Sequence, residues 1–96
     1  METRIVVLQR GWVVVGHFEE VGDEVVVTKA SVIRRWGTTK GLGELVDGPV
    51  KGKTILDAAG EVRANKLAVV MTVKCNSDAW SKALKIVTRR HVAEAA

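Results

Sequence analysis

Long runs of valine, isoleucine and leucine dominate this chain, and short polar stretches that contain glycine separate them. Apolar runs of this length, rich in β-branched residues and bounded by turn signals, are typical of β-strands. They predict strands at residues 4–8, 12–18, 24–29, 32–36, 54–56, 61–63 and 67–75. The residues around Leu42–Val46 predict one helical turn, because Gly48 and Pro49 end any longer helix.

The C-terminal part of the chain follows a helical period. Asn76-Ser77-Asp78 is a helix start signal, and apolar residues follow it at spacings of three and four. These residues predict a helix over about 78–91, with Trp80, Leu84 and Val87 on one side. Basic residues occupy its other sides and its end, so we expect the apolar stripe to pack in the core.

Several of the predicted strands are apolar on both faces, and a single flat sheet would leave one of those faces in water. A closed barrel, a two-layer sandwich, a covering helix or a subunit interface would each bury it. We therefore expect a mainly β (α+β) fold, a small barrel or sandwich of five to seven short strands with the C-terminal helix packed on it. The surplus of apolar surface also predicts a homo-oligomer.

The composition limits the kind of protein further. A length of 96 residues predicts one domain over residues 1–96, and the net charge of +4 permits anionic partners without requiring them. Cys75 is the only cysteine, which excludes an intrachain disulfide and favours a reducing compartment, the cytoplasm. No apolar stretch reaches the length of a signal peptide or a membrane span, so we expect no membrane partner.

The segment Gly48–Thr54 ends in Gly-Lys-Thr, like a phosphate-binding loop. That motif places four residues between its glycines and starts a helix at the lysine. Here three residues separate Gly48 from Gly52, and an extended segment follows. We therefore interpret the segment as a solvated hairpin loop and expect no nucleotide or other cofactor.

Basic residues beside an aromatic one form the strongest candidate binding site. Arg34, Arg35 and Trp36 end a predicted strand, and a glycine-containing loop with Lys40 follows. Such residues can hold phosphates and stack a base, which makes nucleic acid a candidate partner. Either Trp36 is exposed beside Arg34, or it lies in the core with Arg34 at the edge. The predicted helix would add the basic residues Lys82, Lys85, Arg89 and Arg90.

The chain offers few residues for catalysis or metal binding. Cys75 continues the apolar face of a predicted strand, so we interpret it as a buried structural thiol. A zinc site would need Cys75, His17, His91 and a carboxylate from distant positions, without the usual spacing. A Cys75–His91 pair is the remaining catalytic alternative. We predict no catalytic residue, no metal site and no enzymatic activity.

Four segments of the chain follow one another in an order that resembles an uncharacterised family of small proteins from bacteriophages, prophages and other mobile elements. The segments are 26–30, 33–37, 41–45 and 67–75. In that family, a strand ending in alanine precedes a Trp-containing strand and a Leu-Xaa-Glu-Leu/Ile turn, and a late apolar strand closes on a cysteine or similar residue. The resemblance covers about residues 5–80, whereas the basic tail Lys82–Arg90 departs from the family pattern.

The resemblance implies a bacterial or phage setting and a role in interaction, and it transfers no functional residue. We therefore expect a non-enzymatic accessory or interaction protein of a phage or mobile genetic element, which associates with itself and contacts other proteins. The alternative is a nucleic-acid-binding module that uses the surface around Trp36 and the basic helix.

Overall fold

Five antiparallel strands form one sheet in the computed structural model, which describes residues 2–85. The strands are β1 (Glu2–Leu8), β2 (Val13–Val21), β3 (Glu24–Arg35), β4 (Ile55–Asn65) and β5 (Val69–Lys74). Their order across the sheet is β4-β3-β2-β1-β5, and a helix, α1, follows over residues 77–85. The predicted fold class, mainly β with one C-terminal helix, is confirmed. The five strands form one open sheet, not a closed barrel.

The sheet is strongly curled, because a very short connection joins its two edge strands. β4 and β5 lie at opposite edges, yet only the 3₁₀ turn Lys66–Ala68 separates them in the chain. A flat sheet would hold its outermost strands about 19 Å apart, four strand spacings. The chain from Asn65 to Val69 spans at most about 14 Å. The sheet must therefore curl to bring these two strand ends together.

The concave face of the sheet encloses a small apolar core. Its buried residues are Val6, Val14, Val27 and Ala30. Partly buried side chains from both edge strands, Val62 of β4 and Val69 of β5, pack against the same cluster. Side chains from the two edge strands can contact the same cluster only if they point into the concave side of the curled sheet. This inner core therefore buries one of the two apolar faces that the sequence predicts.

The convex face is covered by helical segments. Its core contains the buried residues Ile5, Val13, Val15, Ile33, Leu45, Cys75, Trp80 and Leu84. Leu45 belongs to the 3₁₀ turn Leu42–Asp47, where one helical turn is predicted, and Trp80 belongs to α1. The Trp80 indole Nε1–H donates a hydrogen bond of 2.7 Å to the Leu45 carbonyl oxygen. Trp80 and Leu84 lie in the core as predicted, while Val87 lies outside the described residues.

Two predicted strand boundaries are wrong, because the residues that signal a break form bulges. β3 continues through residues 30–31, and β4 continues through residues 57–60. The pairing between these strands shifts beside Ala30, which is opposite Gly60, while Lys29 and Gly60 have positive φ angles of 50° and 71°. A bulge inserts an extra residue and bends a strand without ending it. The last strand also begins later than predicted, since Leu67 belongs to the 3₁₀ turn.

Gly16 lies where β2 approaches the bent part of β3 too closely for a side chain. A β-carbon there would lie 2.7 Å from Val27 Cγ1 and 2.8 Å from the Thr28 carbonyl oxygen. We expect Gly16→Ala to lower the free energy of unfolding by about 1–3 kcal/mol, the usual cost of overpacking. Urea unfolding followed by circular dichroism measures this change.

Gly43→Ala is the control for this substitution. Gly43 is exposed, and a β-carbon there would have no neighbour within 4 Å. We expect this variant to unfold within about 0.5 kcal/mol of the original chain, as surface substitutions usually do. Equal stability of the two variants would contradict the close approach at Gly16.

Candidate functional site

Trp36 is exposed at the end of β3, beside a turn that carries two lysines. Its side chain is 40% exposed, so the first of the two sequence alternatives is correct. The Thr54 hydroxyl donates a hydrogen bond of 2.7 Å to the Trp36 carbonyl oxygen. Gly37 approaches the Lys53 backbone so closely that a β-carbon at Gly37 would lie 2.6 Å from the Lys53 carbonyl oxygen. We call Arg35, Trp36, Lys51 and Lys53 the basic corner.

The turn of the basic corner is closed by hydrogen bonds. The backbone N–H groups of Lys53 and Thr54 donate to the Val50 carbonyl oxygen at 3.0 and 2.9 Å. The Val50 N–H in turn donates to the Thr54 hydroxyl at 2.7 Å. The Gly-Lys-Thr sequence therefore leads into β4 and not into a helix, and its hydroxyl is already engaged. Lys51 and Lys53 are exposed on this turn.

Two of the predicted basic residues have a carboxylate beside them. The Arg34 guanidinium Nε lies 2.8 Å from Asp57 Oδ2. The Lys40 backbone N–H donates to Glu44 Oε2 at 2.9 Å, and this hydrogen bond is the largest cause that lowers the pKa of the Glu44 carboxyl. The Arg34 charge is thus paired with Asp57, whereas the contact of Lys40 with Glu44 runs through its backbone. The basic corner adds three further cations, Arg35, Lys51 and Lys53, to this end of the sheet.

The other predicted basic residues lie on the C-terminal helix. Lys82 and Lys85 are exposed on α1, while Arg89 and Arg90 lie outside the described residues. The helix is held on the convex face through Trp80 and the Leu45 carbonyl. The structure thus groups Arg34 and Arg35 with Trp36. Within residues 2–85 it shows no contact between the helix lysines and that group.

A second exposed surface is apolar and surrounds the start of β5. Its residues and exposed fractions are Trp12 58%, Leu67 86%, Val70 64% and Met71 50%. We call these four residues the apolar corner. Backbone pairing brings them together, because Leu8 donates to the Trp12 carbonyl at 2.7 Å and lies opposite Val69. Met71 is opposite Val7 in the next position of the same ladder.

The two edges of the sheet differ in their protection against pairing. Edge strands that carry charges and bulges resist the addition of another strand. β4 carries the charged residues Asp57, Glu61 and Arg63 and the positive-φ Gly60. β5 carries one charged residue, Lys74, at its end, and its pairing with β1 is irregular at Val70. Among the described residues, β5 is therefore the edge strand with fewer charges.

The titratable residues considered for catalysis lie in different surroundings. Cys75 is buried, and this burial is the main cause that raises the pKa of its thiol. Its Sγ–H donates to the Val73 carbonyl oxygen at 3.5 Å. A raised pKa lowers the thiolate fraction, so Cys75 has the properties of a structural thiol. His91, its candidate partner, lies outside the described residues.

The chain matches none of the known protein-family models or curated proteins with which it was compared. No helix within residues 2–85 is long and apolar enough to cross a bilayer. In the same part of the chain, no group of three or more His, Cys, Asp or Glu side chains is arranged to hold a metal ion. The basic corner and the apolar corner are thus the features that distinguish this surface.

His17 is half-buried on β2, and burial is the main cause that lowers the pKa of its imidazole, followed by the charge of Lys29. Because the unfolded chain then binds the proton more readily, the free energy of unfolding is expected to fall as the pH decreases from about 6.5. A proton NMR titration of the His91→Gln variant, in which His17 is the only histidine, measures this pKa directly.

Substitution of Lys29 tests whether its charge contributes to the lowered pKa of His17. Lys29→Gln removes a positive charge beside His17 and is expected to raise the pKa of the imidazole. Lys53→Gln removes a charge from the far end of β3 and should leave that pKa unchanged. A His17 pKa at or above the ordinary value in the original chain would disprove this account.

Proposed function

We propose that this protein is a non-enzymatic accessory protein of a phage or other mobile genetic element, which works in the cytoplasm through contacts between protein chains and associates with itself. The exposed apolar corner beside the sparsely charged edge strand β5 is the observation that supports this proposal. Contiguous apolar patches on small proteins commonly mark interaction sites. A second copy of the chain is the partner to which this surface is best suited.

The size of the apolar corner is sufficient for a dimer. The exposed fractions of its four side chains correspond to roughly 500 Å² of apolar surface per copy. Two copies joined through this corner would bury roughly 1,000 Å² in total, the minimum expected of a biological interface. Backbone pairing between two β5 strands would add to this area.

The sequence of β5 is compatible with antiparallel pairing to itself. When Met71 lies opposite Met71 of a second copy, Val70 faces Thr72 and Val69 faces Val73. Lys74 then faces Ala68, beyond the start of the strand, so that no two like charges are opposite each other. Cross-strand pairs of this kind stabilise a sheet by roughly 0.2–1 kcal/mol each. The two open sheets would join into one continuous sheet about a twofold axis at Met71.

Met71→Lys tests this interface. The substitution places two positive charges at the proposed axis, so we expect the dissociation constant of the dimer to rise at least roughly tenfold. Sedimentation velocity over a wide range of protein concentration measures the association.

Ala59→Lys is the matched control, because Ala59 is exposed on β4, the opposite edge strand of the sheet. It should associate like the original chain. A chain that stays monomeric at millimolar concentration would refute self-association. Equal weakening by both substitutions would place the contact elsewhere on the surface.

A further inference from the structure

We infer that the basic corner binds single-stranded nucleic acid, with Trp36 as a platform for one base and with Arg35, Lys51 and Lys53 as contacts to the phosphates. This binding site uses other residues than the apolar corner and goes beyond the self-association proposed above. Trp36 follows β3 and Trp12 precedes β2, and these two strand ends are neighbours in the sheet, since Val14 pairs with Val32.

Trp36 is not needed to build either core. It belongs to neither buried cluster and is 40% exposed, whereas Trp80 is fully buried and donates a hydrogen bond from its indole nitrogen. An exposed indole beside cations suits the stacking of a nucleic-acid base, which contributes roughly 1–3 kcal/mol per base. The indole of Trp36 is therefore available for a ligand.

The basic corner also supplies charge that no carboxylate of residues 2–85 neutralises by an ion pair. Arg35, Lys51 and Lys53 take part in no ion pair within residues 2–85, although six ion pairs form elsewhere in that part of the chain. Each phosphate contact releases counterions and makes binding dependent on salt. Arg35 precedes Trp36 in the chain, and the turn with Lys51 and Lys53 is held against Trp36, which places three cations at the same corner as the indole.

The backbone of the basic corner is preorganised. The Thr54 hydroxyl and the packing of Gly37 on Lys53 hold the lysine turn against Trp36, and Val50 closes that turn. A ligand therefore has to order only the long side chains, which lowers the entropic cost of binding.

A single strand fits this arrangement better than a duplex. A lone indole can stack only on a base whose face is accessible, and bases of a single strand can turn outward. An acidic peptide would use the cations but would gain little from the indole. Stacking on Trp36 is therefore the property that separates these two kinds of ligand in an experiment.

Fluorescence anisotropy with a labelled oligothymidylate at low salt tests the inference. We expect binding that weakens steeply as salt is added, and a loss of roughly 5- to 150-fold in affinity for Trp36→Ala. Trp36→Phe keeps an aromatic face and should retain most of the affinity. The double variant Arg35→Gln/Lys53→Gln should reduce the dependence of affinity on salt.

Val21→Ala is the control, because it truncates an exposed apolar side chain at the opposite end of β2 and should leave binding unchanged. Circular dichroism verifies that each variant is folded. No binding of the original chain at low salt would overturn the inference. So would equal affinities of Trp36→Ala and the original chain, or displacement of the oligonucleotide by polyglutamate at equal charge concentration. None of these results depends on self-association, because the Met71→Lys variant is measured in parallel and should bind like the original chain.

Discussion

The three-residue connection between β4 and β5 is the constraint on which the rest of the structure depends. It requires the end of β4 and the start of β5 to lie close together, although these strands are the opposite edges of one sheet. The sheet can meet this requirement only by curling, and the curl encloses the inner core. The convex face is then too exposed to be stable alone, so the 3₁₀ turn at Leu42–Asp47 and α1 cover it. Two cores of modest size thus share one layer of strands.

Much of the fold could be predicted from local pattern, because β-branched runs and a helical period are local properties. The runs predict the five strands approximately, and the spacing of Trp80 and Leu84 predicts the buried side of α1. The continuity of β3 and β4 could not be predicted in this way. Ala30 and Gly60 would end a strand in isolation, but here they pair with each other between two register shifts, inside a ladder that continues on both sides.

The two candidate sites also differ in how far they could be predicted, because some of their residues are adjacent in the sequence and others are brought together only by the fold. Arg34, Arg35 and Trp36 are adjacent in the chain, so their grouping is visible in the sequence. Lys51 and Lys53 join them only through the contact of Gly37 with Lys53, across sixteen positions in the chain. The apolar corner was not predicted, because Met71 alternates with its neighbours like a core residue. Alternation shows which face a residue occupies, but not whether its strand lies at an edge.

The indole of Trp80 has a further consequence for how the chain reaches its final state during synthesis. It belongs to the last element described, yet it covers side chains of β1 and β2, which leave the ribosome first. Until Trp80 docks on the Leu45 carbonyl, the convex faces of those two strands remain in water. The sheet can form early, but its second core is completed only after α1 has been made. The convex face of the sheet therefore stays an exposed apolar surface until α1 packs on it.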